Sequence, residues 1–283
     1  MDEFREVHSA KGPSLFLLSE WGKDNPDLTA GFTGRNGGVS GGQWQSLNVG
    51  LHVGDNAADV VANRQRLTDA IDWPFEAWTC GEQVHGNKVY KVTSADKGKG
   101  KMSLHDVIPD CDAIMTNEPN VLLTSFYADC VPLYFYDPEH GAIALAHAGW
   151  RGTVQRIAEE TILAMEKAYG SRPEAVKAAI GPAIDSCCYE VDGVVIDQVE
   201  KVMAFLELSS ETADIVLKKS DNGKAYINLK EINRQIMIKA GILPIHIEIT
   251  KWCTGCRRDL FFSHRMENGL TGRMASWIGI RER

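Results

Sequence analysis

The sequence predicts an α/β fold of packed layers with mixed sheets. Three observations carry that expectation. Short apolar runs rich in β-formers recur at 121–127, 131–136, 142–146, 176–180 and 245–249. Stretches of helical period lie between and around them, but not in regular βαβ alternation. No GxGxxG or Walker sequence occurs, so nothing supports a dinucleotide-binding version of the class.

Taken in order, the glycine-rich run 31–42 (GFTGRNGGVSGG) predicts a loop. It is either a place where backbone approaches another group closely or a bare surface turn. Residues 57–71 predict a helix, with apolar Val60, Val61, Leu67 and Ile71 and with Asp55 placed to cap it. The segment 94–103, with Gly98, Gly100 and several lysines, predicts an exposed loop. The strand-like runs 121–127 and 131–136 are parted by the Asp129-Cys130 step, where the chain must bend or bulge. A long helix is expected over 153–169, with Thr153 near its start and Ile157, Ile162 and Met165 facing inward. Helices over 193–205 and 229–240 complete the pattern.

The 283 residues are 44% hydrophobic, and no repeat, low-complexity stretch or Pro/Ser-rich linker marks a boundary. One domain over 1–283 is therefore expected. The net charge of -8 argues against a nucleic-acid binder and against an anionic membrane surface, while leaving room for a local basic pocket. The charged start (Asp2, Glu3, Arg5, Glu6) does not read as a secretory signal, and no apolar run is long enough to span a bilayer. Seven cysteines, an odd and sparse set, favour a reducing, cytoplasmic setting. No heptad or apolar stripe argues for a particular oligomer.

Chemistry concentrates in three short segments: Gln83-Val84-His85-Gly86, Ala128-Asp129-Cys130 and Ala146-His147-Ala148-Gly149-Trp150-Arg151-Gly152. Two imidazoles and one thiolate would hold a tetrahedral zinc ion with its fourth position open, the arrangement of a catalytic site. Taken singly, a histidine beside a strand is usually a satisfied polar residue, and a cysteine in a β-rich run a small hydrophobe. Residue types alone leave both readings standing, and the spacing adds nothing. A second candidate is the C-x-x-C of Cys253 and Cys256, half of a four-cysteine site. The adjacent Cys187 and Cys188 are not expected to point inward together, so a structural or incidental role is expected for Cys253 and Cys256.

Further segments place these residues in a known pattern: Phe32-Thr33-Gly34-Arg35 with Gly37-Gly38-Val39-Ser40, Ser46-Leu47-Asn48-Val49-Gly50, His52-Val53-Gly54-Asp55 and Asn63-Arg64. Gly181-Pro182-Ala183-Ile184, Cys188-Tyr189-Glu190-Val191, Phe262-Ser263-His264-Arg265 and Thr271-Gly272-Arg273 continue it. Over 31–279, in sequence order and without a break at the three ligand positions, the chain resembles the YfiH/YlmD family of purine nucleoside phosphorylases. That family was long called multicopper polyphenol oxidase or laccase-like.

The resemblance implies a four-layer α/β/β/α fold with mixed β-sheets, CNF-toxin/YfiH-like, and one Zn2+ held by His85, Cys130 and His147, the catalytic trio. It implies phosphorolysis of adenosine, inosine, guanosine and S-methyl-5'-thioadenosine, and deamination of adenosine to inosine, with purine nucleosides and phosphate as partners. Deamination needs a general base, for which Asp129 and Glu82 both remain candidates. Phosphate needs donors, and Asn48 with Arg64, then Arg35 and Arg151, are the expected ones. The start of the helix after Gly152 would add backbone N–H groups. Copper is a weaker alternative cofactor: multicopper oxidases need many more histidines than the eight present here. The competing functions are a metal-independent cysteine hydrolase using Cys130 and His147, a copper polyphenol oxidase, and a non-enzymatic regulatory protein.

Overall fold

The computed structural model describes residues 2–7 and 12–282. The chain opens with β1 (Phe4–Val7), β2 (Leu15–Leu18), α1 (Ser19–Asp24) and β3 (Leu28–Thr33), followed by α2 (Ala57–Ala70). β4 (Trp78–Cys80), β5 (Val89–Lys91), β6 (Ala113–Thr116), β7 (Leu122–Tyr127), β8 (Val131–Asp137) and β9 (Ala142–Ala148) form the middle. Next come α3 (Trp150–Val154), α4 (Ile157–Tyr169), β10 (Lys177–Ile180), β11 (Glu190–Val191), α5 (Gly193–Leu206) and α6 (Ser210–Val216). β12 (Leu217–Lys219), β13 (Ala225–Ile227), α7 (Leu229–Lys239), β14 (Ile247–Ile249) and β15 (Met274–Ile280) close the chain.

Two six-stranded sheets carry the fold, in the orders β1-β2-β3-β15-β7-β4 and β14-β10-β8-β9-β6-β5. Both are mixed. In the first, only β4 runs parallel to its neighbour β7; in the second, β5/β6 and β10/β14 are the parallel pairs. A small third sheet joins β11, β13 and β12.

Three apolar cores show the layering. Phe16, Phe32, Leu123 and Ile278 of the first sheet meet Tyr134, Tyr136, Ile143 and Leu145 of the second. On the outer face of the first sheet, Trp78, Leu122 and Trp277 pack against Leu67 of α2. On the outer face of the second, Leu133, Phe135, Ala144 and Ala146 pack against Ile162 of α4, Val199 of α5 and Ile236 of α7. The order is α/β/β/α. Every residue of β7, β8 and β9 is buried, which explains why these strands read as unbroken apolar runs and not as alternations.

Several local expectations need correction. β7 and β8 belong to different sheets, so the Asp129-Cys130 step is a crossing between layers, with Asp129 at φ 83°. The expected helix over 153–169 is two helices that begin at Trp150 and break at Arg156, which sits at φ 58°. No Gly or Pro marks that break in the sequence. The cap of α2 is Asn56, which accepts from the Ala58 N–H at 2.9 Å. Asp55 is drawn off to accept from Ser40 Oγ at 2.6 Å and Asn48 Nδ2 at 2.9 Å.

The run expected to be a loop from Gly31 starts inside β3, and the close-approach reading holds: a Cβ on Gly31 would overlap the Trp277 ring. The segment 94–103 is not freely exposed. Asp96 is buried and accepts from Thr93, and the Gly100 carbonyl is capped by Arg64. Pro244–His246 form a short 3-10 turn, so the last expected strand begins only at Ile247.

Candidate functional site

The hairpin of β8 and β9 assembles two members of the trio. Its register pairs Val131 with Ala148 and Pro132 with His147, so Cys130 and Gly149 emerge together at the end of the second sheet. His85 arrives from the loop after β4. The donor atoms of His85, Cys130 and His147 lie within 4.8 Å of one another, and the two imidazole rings meet edge to face at 4.9 Å. A Cβ on Gly149 would fall 3.0 Å from Cys130 Sγ and 3.2 Å from His85 Cδ2. A larger residue there would press Cys130 and His85 aside by a few tenths of an ångström.

Asp112, which sequence reasoning missed, organises the site. Its carboxylate accepts from the N–H groups of Val84 at 3.1 Å, His85 at 3.0 Å and Gly86 at 2.7 Å. It also pairs with His147 Nδ1 at 2.9 Å. The three amides form an anion-binding nest, which holds His85 in its left-handed conformation at φ 62°. Because His147 Nδ1–H donates to Asp112, Nε2 is the nitrogen left for the cavity, where a bound metal would take the place of its proton. The only signal for Asp112 was an acidic residue ahead of the apolar run of β6, which is weak.

The electrostatics favour a deprotonated thiol. Burial opposes ionisation of Cys130, but the charges and hydrogen bonds of His147 and His85 outweigh it and bring the thiol down to about 6. Burial likewise opposes charge on His147, yet Cys130 and then Asp112 raise it to about 9. Burial resists the ionisation of Asp112 as well, and its bonds from His147 and the amides hold it below the usual carboxylate range. Two imidazoles and a thiolate, oriented by a carboxylate, form a donor set that suits zinc. Replacing Asp112 by asparagine is expected to weaken metal binding about 10–100-fold, measured by competition with a chelator.

The trio opens on a cavity of about 470 Å³ between the ends of the sheets, a size suited to a small organic molecule. Glu82, His52, His264, Phe126 and Arg273 also line it. The surrounding protein, then the charges of Arg273 and Arg64, push His52 down to about 4, so its imidazole is neutral at pH 7. Of the two candidate bases, Glu82 faces the cavity. Asp129 is turned away: Thr254 Oγ1 at 2.6 Å, Ser263 Oγ at 3.0 Å and the Arg265 N–H at 2.7 Å occupy its carboxylate.

The structure does not bring the expected phosphate residues to this cavity. Arg64 is 1% exposed and donates to the carbonyls of Val49, Gly100 and Lys101 at 2.8, 2.6 and 3.0 Å. Asn48 is fully buried, donating to Asp55 and accepting from the N–H groups of Gly50 and Arg273. Arg35 pairs with Glu267 at 2.9 Å and donates to the carbonyls of Arg258 and Phe261. Arg151 is exposed on α3, its guanidinium 4.6 Å from the Trp150 ring. Long polar side chains in a motif identify donors without saying whether backbone or ligand receives them. The arginine at the cavity is Arg273, half-buried, with Nη1 donating to the carbonyls of Thr271 and Gly272.

Residues 29–281 match the family described as multi-copper polyphenol oxidoreductase laccase. The chain is 40% identical over 273 residues to a Bacillus subtilis protein named purine nucleoside phosphorylase YlmD, covering 95% of this chain and 96% of that one. Among solved structures, Bacillus licheniformis YfiH superposes with a TM-score of 0.90 at 40% identity, over 99% of this chain and 100% of its own. YlmD from Geobacillus stearothermophilus gives 0.89 at 40% identity, over the whole of both chains.

Proposed function

The chain belongs to the multi-copper polyphenol oxidoreductase laccase family, in its YfiH/YlmD-like branch, and from that premise we propose that it is a zinc-dependent purine nucleoside phosphorylase. The observation that carries the reading is the convergence of His85, Cys130 and His147 on one cavity. The name of the family describes other chemistry, which these residues do not fit. Among the described residues, no group of candidate ligands brings together more than two histidines, whereas a multicopper oxidase needs a trinuclear cluster besides its type 1 site.

The proposed substrates are adenosine, inosine, guanosine and S-methyl-5'-thioadenosine. In phosphorolysis a phosphate oxygen bonds to ribose C1′ as the C1′–N9 bond breaks. The electron pair leaves with the purine, which takes up a proton. Held by the trio, a zinc ion supplies Lewis acidity, stabilising developing negative charge and acidifying water. Arg273 attracts the phosphate, and the neutral imidazole of His52 adds a hydrogen-bonding group without repelling protonated neighbours. Glu82, which lines the cavity, is the group assigned to pass a proton to or from the base, and would serve the same purpose in the deamination of adenosine to inosine. Phe126 gives the cavity an apolar wall against which a purine can pack.

Metal-quantified protein incubated with adenosine, with and without phosphate, tests the reading. Phosphate-dependent release of adenine with ribose 1-phosphate supports it; phosphate-independent inosine supports the deaminase activity. No product from zinc-loaded protein removes the purine assignment.

One observation favours a second reading, a cysteine hydrolase in which Cys130 is the nucleophile and His147 its base: the lowered Cys130 thiol. In metal-stripped protein, alkylation of Cys130 by iodoacetamide is expected to fall away only below about pH 6, not near the ordinary thiol value of 9. Activity that survives chelation and is lost on this alkylation would select the hydrolase; activity lost on chelation selects the metalloenzyme.

A further inference from the structure

Outside the cavity, a second set of metal-ligating side chains meets on the far side of Asp129. We propose that Cys187, Cys188, Cys253 and Cys256 form a tetrathiolate site for one Zn2+, a structural staple behind the catalytic trio. The topology explains how distant cysteines meet. β10 and β14 are parallel neighbours, with Ala178 paired to Ile247, so the segments leaving them run side by side. Ala183 and Cys253 continue the pairing as an isolated parallel bridge, and the Thr254 N–H donates to the Ala183 carbonyl at 3.1 Å.

The four sulfurs lie within 4.8 Å of one another. Cys187 Sγ is 3.5 Å from Cys253 Sγ and 3.3 Å from Cys256 Sγ, and Cys188 Sγ is 3.4 Å from Cys256 Sγ. With zinc–sulfur bonds of about 2.3 Å, a regular tetrahedron has edges of about 3.8 Å, so the cluster is sized for one ion. An iron–sulfur cluster sets several irons and sulfides between its cysteines and needs a wider cage.

The adjacent pair was expected to be unable to serve together, and the structure corrects this. The Cys188 and Tyr189 N–H groups both donate to the Asp185 carbonyl, at 2.9 and 3.0 Å. That tight turn brings both Cys187 and Cys188 to Cys256. Gly255 completes the fit: a Cβ there would fall 2.8 Å from Cys188 Cβ and 3.1 Å from its sulfur. The Asp185 N–H points at Cys253 Sγ at 3.4 Å, a bond that supports a thiolate. Cys187 and Cys256 are exposed, leaving an entry path for the ion.

Zinc binding here is not a redox step. The thiols lose their protons to solvent as four zinc–sulfur bonds form. The staple acts on the trio through Asp129. Thr254, inside the C-x-x-C, donates to its carboxylate at 2.6 Å, and the Ile184 N–H donates to its carbonyl at 3.0 Å. Both stapled segments thus grip the residue that precedes Cys130.

The test is the metal content of three proteins purified without chelator. Wild type is expected to carry about two zinc ions per chain, His85→Ala/His147→Ala about one, and Cys253→Ser/Cys256→Ser to lose one. Because losing the staple can itself unfold the cysteine variant, the histidine variant is also examined by zinc X-ray absorption. A shell of four sulfurs at about 2.3 Å supports the site. A histidine variant without zinc, or a shell containing nitrogen or oxygen, overturns it. So does a titration that finds only three of the seven cysteine thiols in denatured, metal-free protein, with Cys187, Cys188, Cys253 and Cys256 protected from alkylation, because the four would then be disulfides.

Discussion

His85→Ala is expected to lower kcat/KM for phosphorolysis by on the order of 10³ or more, because it removes a donor that only the assembled site can use. Among the three, this position gives the cleanest test. His147 is 3% exposed and bonded to Asp112, so its removal would leave a buried carboxylate without one of its donors. His85 stands at the exposed lip, and the hydrogen bond to Asp112 comes from its backbone N–H, which alanine retains. The variant should therefore unfold at nearly the temperature of wild type freed of the trio's metal, while losing that metal and activity together. Full phosphorolysis by His85→Ala would detach the reaction from the trio.

Arg64→Ala is expected to destabilise the fold by about 3 kcal/mol or more, since each buried acceptor left without a donor costs about 1–3 kcal/mol. Three carbonyls lose the guanidinium at once: that of Val49 is buried, that of Gly100 keeps only the weak Cys80 thiol, and that of Lys101 is part-buried. The guanidinium also lies 4.7 Å from the Phe126 ring centre and 5.2 Å from that of Trp78, contacts worth a further ~2 kcal/mol when desolvated. Urea unfolding measures the loss. The companion Arg273→Ala should act in the opposite sense, raising KM for phosphate more than it lowers stability. If Arg64→Ala were stable and specifically impaired in phosphate use, the expected phosphate role of Arg64 would return and that of Arg273 would fall.

These two arginines show where legibility stopped. Asn63-Arg64 and Thr271-Gly272-Arg273 were both visible as motif residues, and nothing local separates them. Arg64 sits on α2 pointing into a layer of aromatic rings and carbonyls, whereas Arg273 precedes β15 at the rim of the cavity. The helix over 153–169 failed for a related reason. Its apolar period is continuous, and the break falls at Arg156, where the backbone turns left-handed with no Gly or Pro to mark it. β15 escaped notice although it is central in the first sheet, because Ser276 and Gly279 interrupt its apolar run.

Local chemistry determined much by itself. Strands buried on both faces must be apolar throughout, so β7, β8 and β9 were readable, as were α5 and α7; for His85, Cys130 and His147 the residue types left a ligand reading and a structural reading both open. Only the tertiary structure decided which donors meet. Asp112 reaches His147 across 35 residues, and Cys187 reaches Cys256 across 69, through strand pairings that no local window contains. A side chain's chemistry belongs to its residue, but a site depends on several side chains being held within a few ångströms. In this fold that is the work of two sheets crossing at Asp129 and of β10 and β14 lying side by side.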